Sequence, residues 1–251
     1  MTGLYFSILL LLHLVHRIPA IAIPQRARAA IDACYPPTSY GTRRDLARDA
    51  AVDSAISFTP EGIPLAGDSM VYGEFDLSFF LDLLDIADPQ PGETFLDIGS
   101  GAGRLVLAAA LHRPNTWANC HGIELSSPLH DAAIAARYAF EDLDEPLPSI
   151  APCQYTLSDC MEGPGIDAMG TADVAFSYAV TWANDETHSK LVRKIAKELP
   201  SGARVISIDL PFSEDIVASE GARLDLVGSM VGYNEETGKE TVGFVYKLLR
   251  H

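Results

Sequence analysis

The sequence predicts an α/β fold in which a mostly parallel sheet carries helices on both faces and ends in an antiparallel hairpin. Three observations predict it. From Thr94 to Leu210, short apolar runs alternate with helix-spaced segments. A glycine-rich turn, Gly99 to Gly103, joins the first run to the first of these helices. At the C-terminal end, two long β-prone stretches flank Asn234 to Lys239, where Gly238 is available for positive φ.

The elements follow in order. Leu4 to Val15 (L-Y-F-S-I-L-L-L-L-H-L-V) is apolar but shorter than the about 20 residues of a membrane span, and Ala20-Ile21-Ala22 offers a small-x-small cleavage site. Gln25 to Ala30 (Q-R-A-R-A-A) adds a basic, acid-poor stretch. Together they resemble the two-part presequences of algae with complex plastids; a mitochondrial presequence and an uncleaved anchor are the alternatives. The expected address is the secretory pathway or an organelle, plastid or mitochondrion. Residues 1–30 are set aside as this targeting segment (a signal peptide in broad terms), and Pro36-Pro37 reads as a linker.

Thr42 to Ile56 has helical spacing with Leu46, Ala50 and Ile56 on one side, and Thr42 with Asp45 resembles a capping box. A Pro/Gly-rich loop, Thr59 to Asp68, follows. Leu77 to Ile86 is a second helix, stopped by Asp88-Pro89 and Pro91-Gly92. Then come a strand at Thr94–Ile98, a helix at Gly103–Leu111, a strand at Trp117–Leu125 and a helix at Pro128–Phe140. Short strands at Gln154–Leu157 and Val174–Tyr178 precede a helix at Asp185–Leu199, ended by Pro200-Ser201-Gly202, and a strand at Arg204–Leu210. Leu224–Tyr233 and Thr241–Leu249 form the hairpin.

Composition narrows the function classes. Across 251 residues, 18 Lys+Arg oppose 34 Asp+Glu, a formal net charge of -16. Such a surface repels phosphate backbones and attracts a basic peptide or a cationic small molecule; it also serves solubility alone. Cys34, Cys120, Cys153 and Cys160 form no C-x-x-C pair, so no structural zinc site is expected. Cys153 and Cys160 could bridge in an oxidising compartment, or all four could be buried free thiols.

The chemistry concentrates in Phe95-Leu96-Asp97-Ile98-Gly99-Ser100-Gly101-Ala102-Gly103-Arg104. Dinucleotide enzymes use G-x-G-x-x-G to seat a pyrophosphate on a helix start. Here the spacing is G-x-G-x-G, with Arg104 where the last glycine would fall. Asp97, two residues before the first glycine, would repel pyrophosphate but can face the ammonium of an amino acid. That combination points to S-adenosylmethionine. Glu124, in G-I-E-L at the end of the next strand, can accept both ribose hydroxyls. Asp159, closing the third strand, is placed for the adenine amino group, or simply caps a turn.

D-I-G-S-G-A-G-R with G-I-E-L resembles the S-adenosylmethionine-dependent methyltransferases, whose seven-stranded Rossmann-like sheet has an antiparallel C-terminal hairpin. Val71-Tyr72-Gly73-Glu74 is similar to the V-Y-G-E segment of the disruptor-of-telomeric-silencing family, the histone lysine methyltransferases without a SET domain. The resemblance implies that Tyr72 and Glu74 belong to a loop folded over the cofactor. It extends from Val71 to Pro211-Phe212, giving a methyltransferase domain at 71–251 after an N-terminal helix and linker at 31–70. Two features differ. Phe176-Ser177-Tyr178-Ala179-Val180-Thr181-Trp182 stands where that family carries Asn-Asn-Phe, and its basic DNA-contacting extension is absent. The chain also resembles mitochondrial lysine methyltransferases, with an apolar leader, a glycine turn running into Gly103-Arg104-Leu105-Val106, and the closing Pro-Phe.

Lysine methylation requires a neutral amine, which an apolar channel favours by desolvation. Tyr178 and Trp182 are the candidate channel walls, or core packing at a strand end; Phe75 and Phe79 read as core. Three functions remain in view: a protein-lysine methyltransferase acting on a basic protein or peptide, a small-molecule methyltransferase, and a non-catalytic cofactor-binding protein. Neither direct nucleic-acid binding nor stable membrane insertion after leader removal is expected.

Overall fold

The computed structural model describes residues 25–53, 72–144, 149–161, 167–178, 185–233 and 240–250. The leader segments Leu4–Val15 and Ala20–Ala22, the loop Thr59–Asp68, Val71, Trp182 and the hairpin tip Asn234–Lys239 lie outside these residues.

Seven strands form one sheet: β1 (Glu93–Ile98), β2 (Trp117–Glu124), β3 (Cys153–Leu157), β4 (Val174–Ser177), β5 (Arg204–Ile208), β6 (Ala222–Tyr233) and β7 (Glu240–Arg250). Their spatial order is β3-β2-β1-β4-β5-β7-β6. β1 to β5 pair in parallel, whereas β7 is antiparallel to both β5 and β6. The alternating pattern and the hairpin therefore give the sheet they predict.

Helices cover both faces: α1 (Gln25–Cys34), α2 (Tyr40–Asp53), α3 (Leu77–Ala87), α4 (Arg104–His112), α5 (Ser127–Glu141), α6 (Asp167–Gly170), α7 (Asp185–Glu198) and α8 (Glu214–Ser219). Successive side chains on β1 point to opposite faces. Phe95 accordingly joins a core with Phe80, Leu83, Leu107 and Phe176, while Leu96 and Ile98 join another with Leu191, Ile195 and Val205. Phe75 and Phe79 are buried in the first core, as expected.

At the bottom of the sheet, Arg204 ties β5 to β1 and α3. Its guanidinium donates to Glu93 Oε1 at 2.9 Å and to the Ala87 carbonyl at 2.9 Å, and it also engages Glu93 Oε2.

The N-terminal expectations need revision. Gln25–Ala30 is not a free basic leader: it forms most of α1, with Ala27, Ala30 and Ile31 buried. Its arginines project from the other side of an amphipathic helix, a pattern that composition alone could not separate from a presequence. Pro36-Pro37 does not open a linker. Pro37–Ser39 is a 3-10 turn leading directly into α2, so the helix starts at Tyr40 and Thr42 does not cap it. The inward side of α2 carries Arg43 and Ala47, whereas Leu46 is 38% exposed.

All four cysteines are free. Cys153 opens β3 and packs in the first core, and Cys160 follows β3 and packs in the second, so the sheet separates the two thiols.

Candidate active site

β1 is flanked by β2 on one side and β4 on the other, so the chain leaves the sheet in opposite directions at this point. A crevice at the carboxyl ends of the strands is the general binding place of such sheets. The candidate residues converge here.

The turn after β1 is built by three glycines with positive φ: Gly99 at 78°, Gly101 at 54° and Gly103 at 79°. Left-handed backbone of this kind favours glycine. The turn is lashed to the end of β2. Gly99 N and Ser100 N each donate to the Ile123 carbonyl at 2.9 Å, and Gly101 N donates to Glu124 Oε2 at 2.7 Å. Close approach is built in as well, since a Cβ on Gly122 would lie 2.6 Å from Ser100 Oγ.

Asp97 is 2% exposed. Burial, with the neighbouring Glu124 carboxylate, pushes its pKa up to about 8. A buried acid held in this way is stabilised by an incoming cation. Glu124 is also pushed upward by burial, and backbone N–H donors oppose the shift. Its two oxygens accept from Gly101 N and Ser126 N, each at 2.7 Å. A carboxylate has about four lone-pair sites, so Glu124 keeps acceptor capacity for a hydroxyl donor beyond its backbone partners.

Tyr72 lies over the glycine turn. A Cβ on Gly101 would be 2.6 Å from Tyr72 Cε2, so the ring can rest there only because residue 101 has no side chain. The Tyr72 hydroxyl donates to Glu74 Oε1 at 3.0 Å. Glu74 itself is held between Arg43 of α2 and Arg104, the first residue of α4. Tyr178 follows β4, half-buried, with its ring 5.0 Å from that of Phe75 and beside Gly73. It thus stands next to the Tyr72 loop and packs on the core at the same time. Asp159 sits one strand further out, where its Oδ1 accepts from Met161 N at 2.7 Å in the turn-capping arrangement.

The fold therefore brings Tyr72, Asp97, Gly99, Gly101, Gly103, Glu124 and Tyr178 to one end of the sheet. Sequence reasoning did not single out Arg43, whose partner is 31 positions away. Arg104 had a visible signal, since it replaces a glycine; its Nη1 donates to the Phe75 carbonyl at 3.1 Å and so anchors the Tyr72 loop to α4.

These residues fit an S-adenosyl cofactor. Asp97 is a buried carboxylate that gains from an ammonium, and Glu124 has free acceptor capacity for ribose.

The family described as histone methylation protein DOT1 matches residues 65–214. No curated protein matches the chain. Similar solved structures include an RNA methyltransferase from Salinibacter ruber in complex with S-adenosyl-L-homocysteine, at 21% identity and TM-score 0.48, covering 71% of this chain and 95% of that one. TrmN from Thermus thermophilus shows 18% identity and TM-score 0.48, covering 72% of this chain and 52% of that one. A SAM-dependent methyltransferase from Methanosarcina mazei shows 14% identity and TM-score 0.48, covering 64% and 95%.

Proposed function

Because the chain belongs to the family of the histone methylation protein DOT1, we propose that it methylates the ε-amine of a lysine on a basic protein. It is an S-adenosylmethionine-dependent methyltransferase. The observation that carries the lysine reading is the Tyr72–Glu74 segment, its Tyr72 ring laid over Gly101 and its hydroxyl bonded to Glu74, inside the matched region. The net charge of -16 supports a basic acceptor.

When bound, the cofactor supplies a methyl on a positively charged sulfur, open to in-line displacement. Asp97 would hold the methionyl ammonium, whose charge would favour its ionised form. Glu124, kept in place by its backbone bonds, would accept from the ribose hydroxyls. Tyr72 covers the glycine turn and excludes water from it. Tyr178, half-buried at the end of β4, offers an apolar wall to the acceptor. Desolvation against that wall lowers the lysine pKa from about 10.4 and favours the neutral amine.

The test is incubation of the purified chain with labelled cofactor and basic proteins, core histones included, followed by mass spectrometry. ε-N-methyllysine in wild type and none in Asp97→Ala supports the reading. Label only in small molecules, or in other side chains, would overturn it. The address is part of the same proposal: residues 1–24, ahead of α1, direct the chain into an organelle or the secretory pathway. A fluorescent protein carrying them that stays in the cytosol would rule this out.

A further inference from the structure

Arg43 lies outside the residues matched by the family, on a helix ahead of the domain the sequence delimits. It is nonetheless among the most completely engaged side chains of the site region. Its side chain is 8% exposed, with Nε donating to Glu74 Oε1 at 2.7 Å, Nη2 engaging the same oxygen, and Nη1 donating to Ser39 Oγ at 2.5 Å. Its Cζ sits 5.8 Å from the centre of the buried Tyr35 ring. The oxygen that Arg43 holds also receives the Tyr72 hydroxyl. From the other side, Arg104 Nη1 lies 3.6 Å from Glu74 Oε2.

A carboxylate as buried as Glu74, 15% exposed, is tolerated because cations neutralise it. Its position then fixes the Tyr72 hydroxyl, and the hydroxyl fixes the ring over Gly101. A fork of donors locks such an oxygen in direction as well as in distance, which a single ammonium does less well.

We infer that Arg43 is a positioning residue of the methyltransferase site: through Glu74 it sets the Tyr72 ring over the glycine turn, making the α1–α2 helices part of the cofactor-binding unit. This rests on the reading of Asp97 and the glycine turn as the cofactor site. Arg43 touches no cofactor, so its effect reaches the site only through Glu74 and Tyr72.

Titration calorimetry of the full chain with S-adenosylhomocysteine tests it, using wild type, Arg43→Gln, Glu74→Gln, the double variant, Arg43→Lys and Asp97→Ala. Arg43→Gln and Glu74→Gln should each raise the dissociation constant about tenfold, a loss of about 1.4 kcal/mol. The double variant should bind no more weakly than the weaker single variant, because the two residues act as one unit. Arg43→Lys should recover part of the loss. At saturating cofactor, kcat should fall less than about threefold while KM for the cofactor follows the binding loss. Melting temperatures recorded alongside keep every comparison below unfolding; if Arg43→Gln does not fold, Arg43→Lys and Glu74→Gln decide.

Lower melting temperatures with unchanged dissociation constants would overturn the proposal, leaving Arg43 as a structural residue. Additive losses in the double variant would overturn it too. Wild type that binds, with binding lost in Asp97→Ala but kept in Arg43→Gln, removes the Arg43 proposal alone. Binding unchanged in Asp97→Ala removes the cofactor site and this proposal with it.

Discussion

The Tyr72 ring rests on Gly101 so closely that a methyl group at residue 101 would lie 2.6 Å from Cε2. Gly101 also holds a φ of 54° and donates its N–H to Glu124. One backbone position thus sets the loop, the turn and the Glu124 carboxylate. Gly101→Ala should displace the ring, weaken S-adenosylhomocysteine binding by about tenfold or more, and destabilise the fold by roughly 1–3 kcal/mol. Titration calorimetry and thermal melting check both effects.

Cofactor affinity should depend on pH through Asp97. Its carboxyl is pushed up to about 8 in the ligand-free chain, whereas the bound ammonium requires the ionised form. Below pH 8, binding therefore releases a proton, and the dissociation constant should fall up to about tenfold per pH unit between pH 6 and 8. Above about 8 the cofactor's own amino group loses its proton, and affinity should decline again. Titrations from pH 6 to 9 should show this optimum in wild type and no Asp97-dependent rise in Asp97→Asn.

The same group should cost the ligand-free fold stability at neutral pH. The unfolded chain releases the Asp97 proton near pH 4, whereas the folded chain keeps it until about 8. Between those values the folded state binds more protons, so stability from this group falls as pH rises. Asp97→Asn should melt above wild type at pH 8, with the gap closing toward pH 4. Scanning calorimetry without ligand at several pH values checks it; a gap independent of pH would refute this account.

Gly103 meets a different constraint. Its φ is 79°, and an added Cβ would lie 2.8 Å from Tyr155 Cζ and 2.9 Å from Ala133 Cβ. Gly103→Ala should cost roughly 2 kcal/mol or more, combining left-handed strain with overpacking between β3 and α5. A melting temperature within a degree of wild type would show that Tyr155 yields freely.

Far from the site, Arg204 and Glu93 should couple in stability. Burial pushes the Glu93 carboxyl up, but hydrogen bonds from Arg204 and Gln90 outweigh it and hold the pKa below the usual value. Arg204→Met should lose about 1–2 kcal/mol by leaving the half-buried Glu93 without its partner, and adding Glu93→Gln should recover part of that loss. The pair's contribution is present above the ordinary glutamate pKa and is lost as pH falls through the lowered one. Urea unfolding at pH 7 and at pH 3 measures both.

How much could be read in advance depended on how local each signal is. β1, α4, β2 and α5 have short periods in the chain, and their positions follow from spacing alone. Phe75 and Phe79, read as core, are buried there. α1 did not, because its Arg–Ala composition suits a presequence as well as an amphipathic helix; only the burial of Ala27, Ala30 and Ile31 separates the two. Thr42 failed as a cap because the turn at Pro37–Ser39 starts the helix earlier. Leu46 failed as a core residue because the inward face of α2 carries an arginine, for which hydrophobic spacing offers no signal.

The sequence by itself determined the strand–turn–helix that carries Asp97 and its three glycines, the acid at the end of β2, and the closing hairpin, since each is a pattern within a few neighbouring residues. Tertiary structure alone decided that Arg43 and Arg104 share Glu74, that Tyr72 lies on Gly101, and that Cys153 and Cys160 fall on opposite faces of the sheet. The contacts of Glu74 and Tyr72 join segments about 30 positions apart, and the side of the sheet each thiol takes depends on how the chain leaves β3. Strand order and helix packing bring those segments together, and neither is encoded in local spacing.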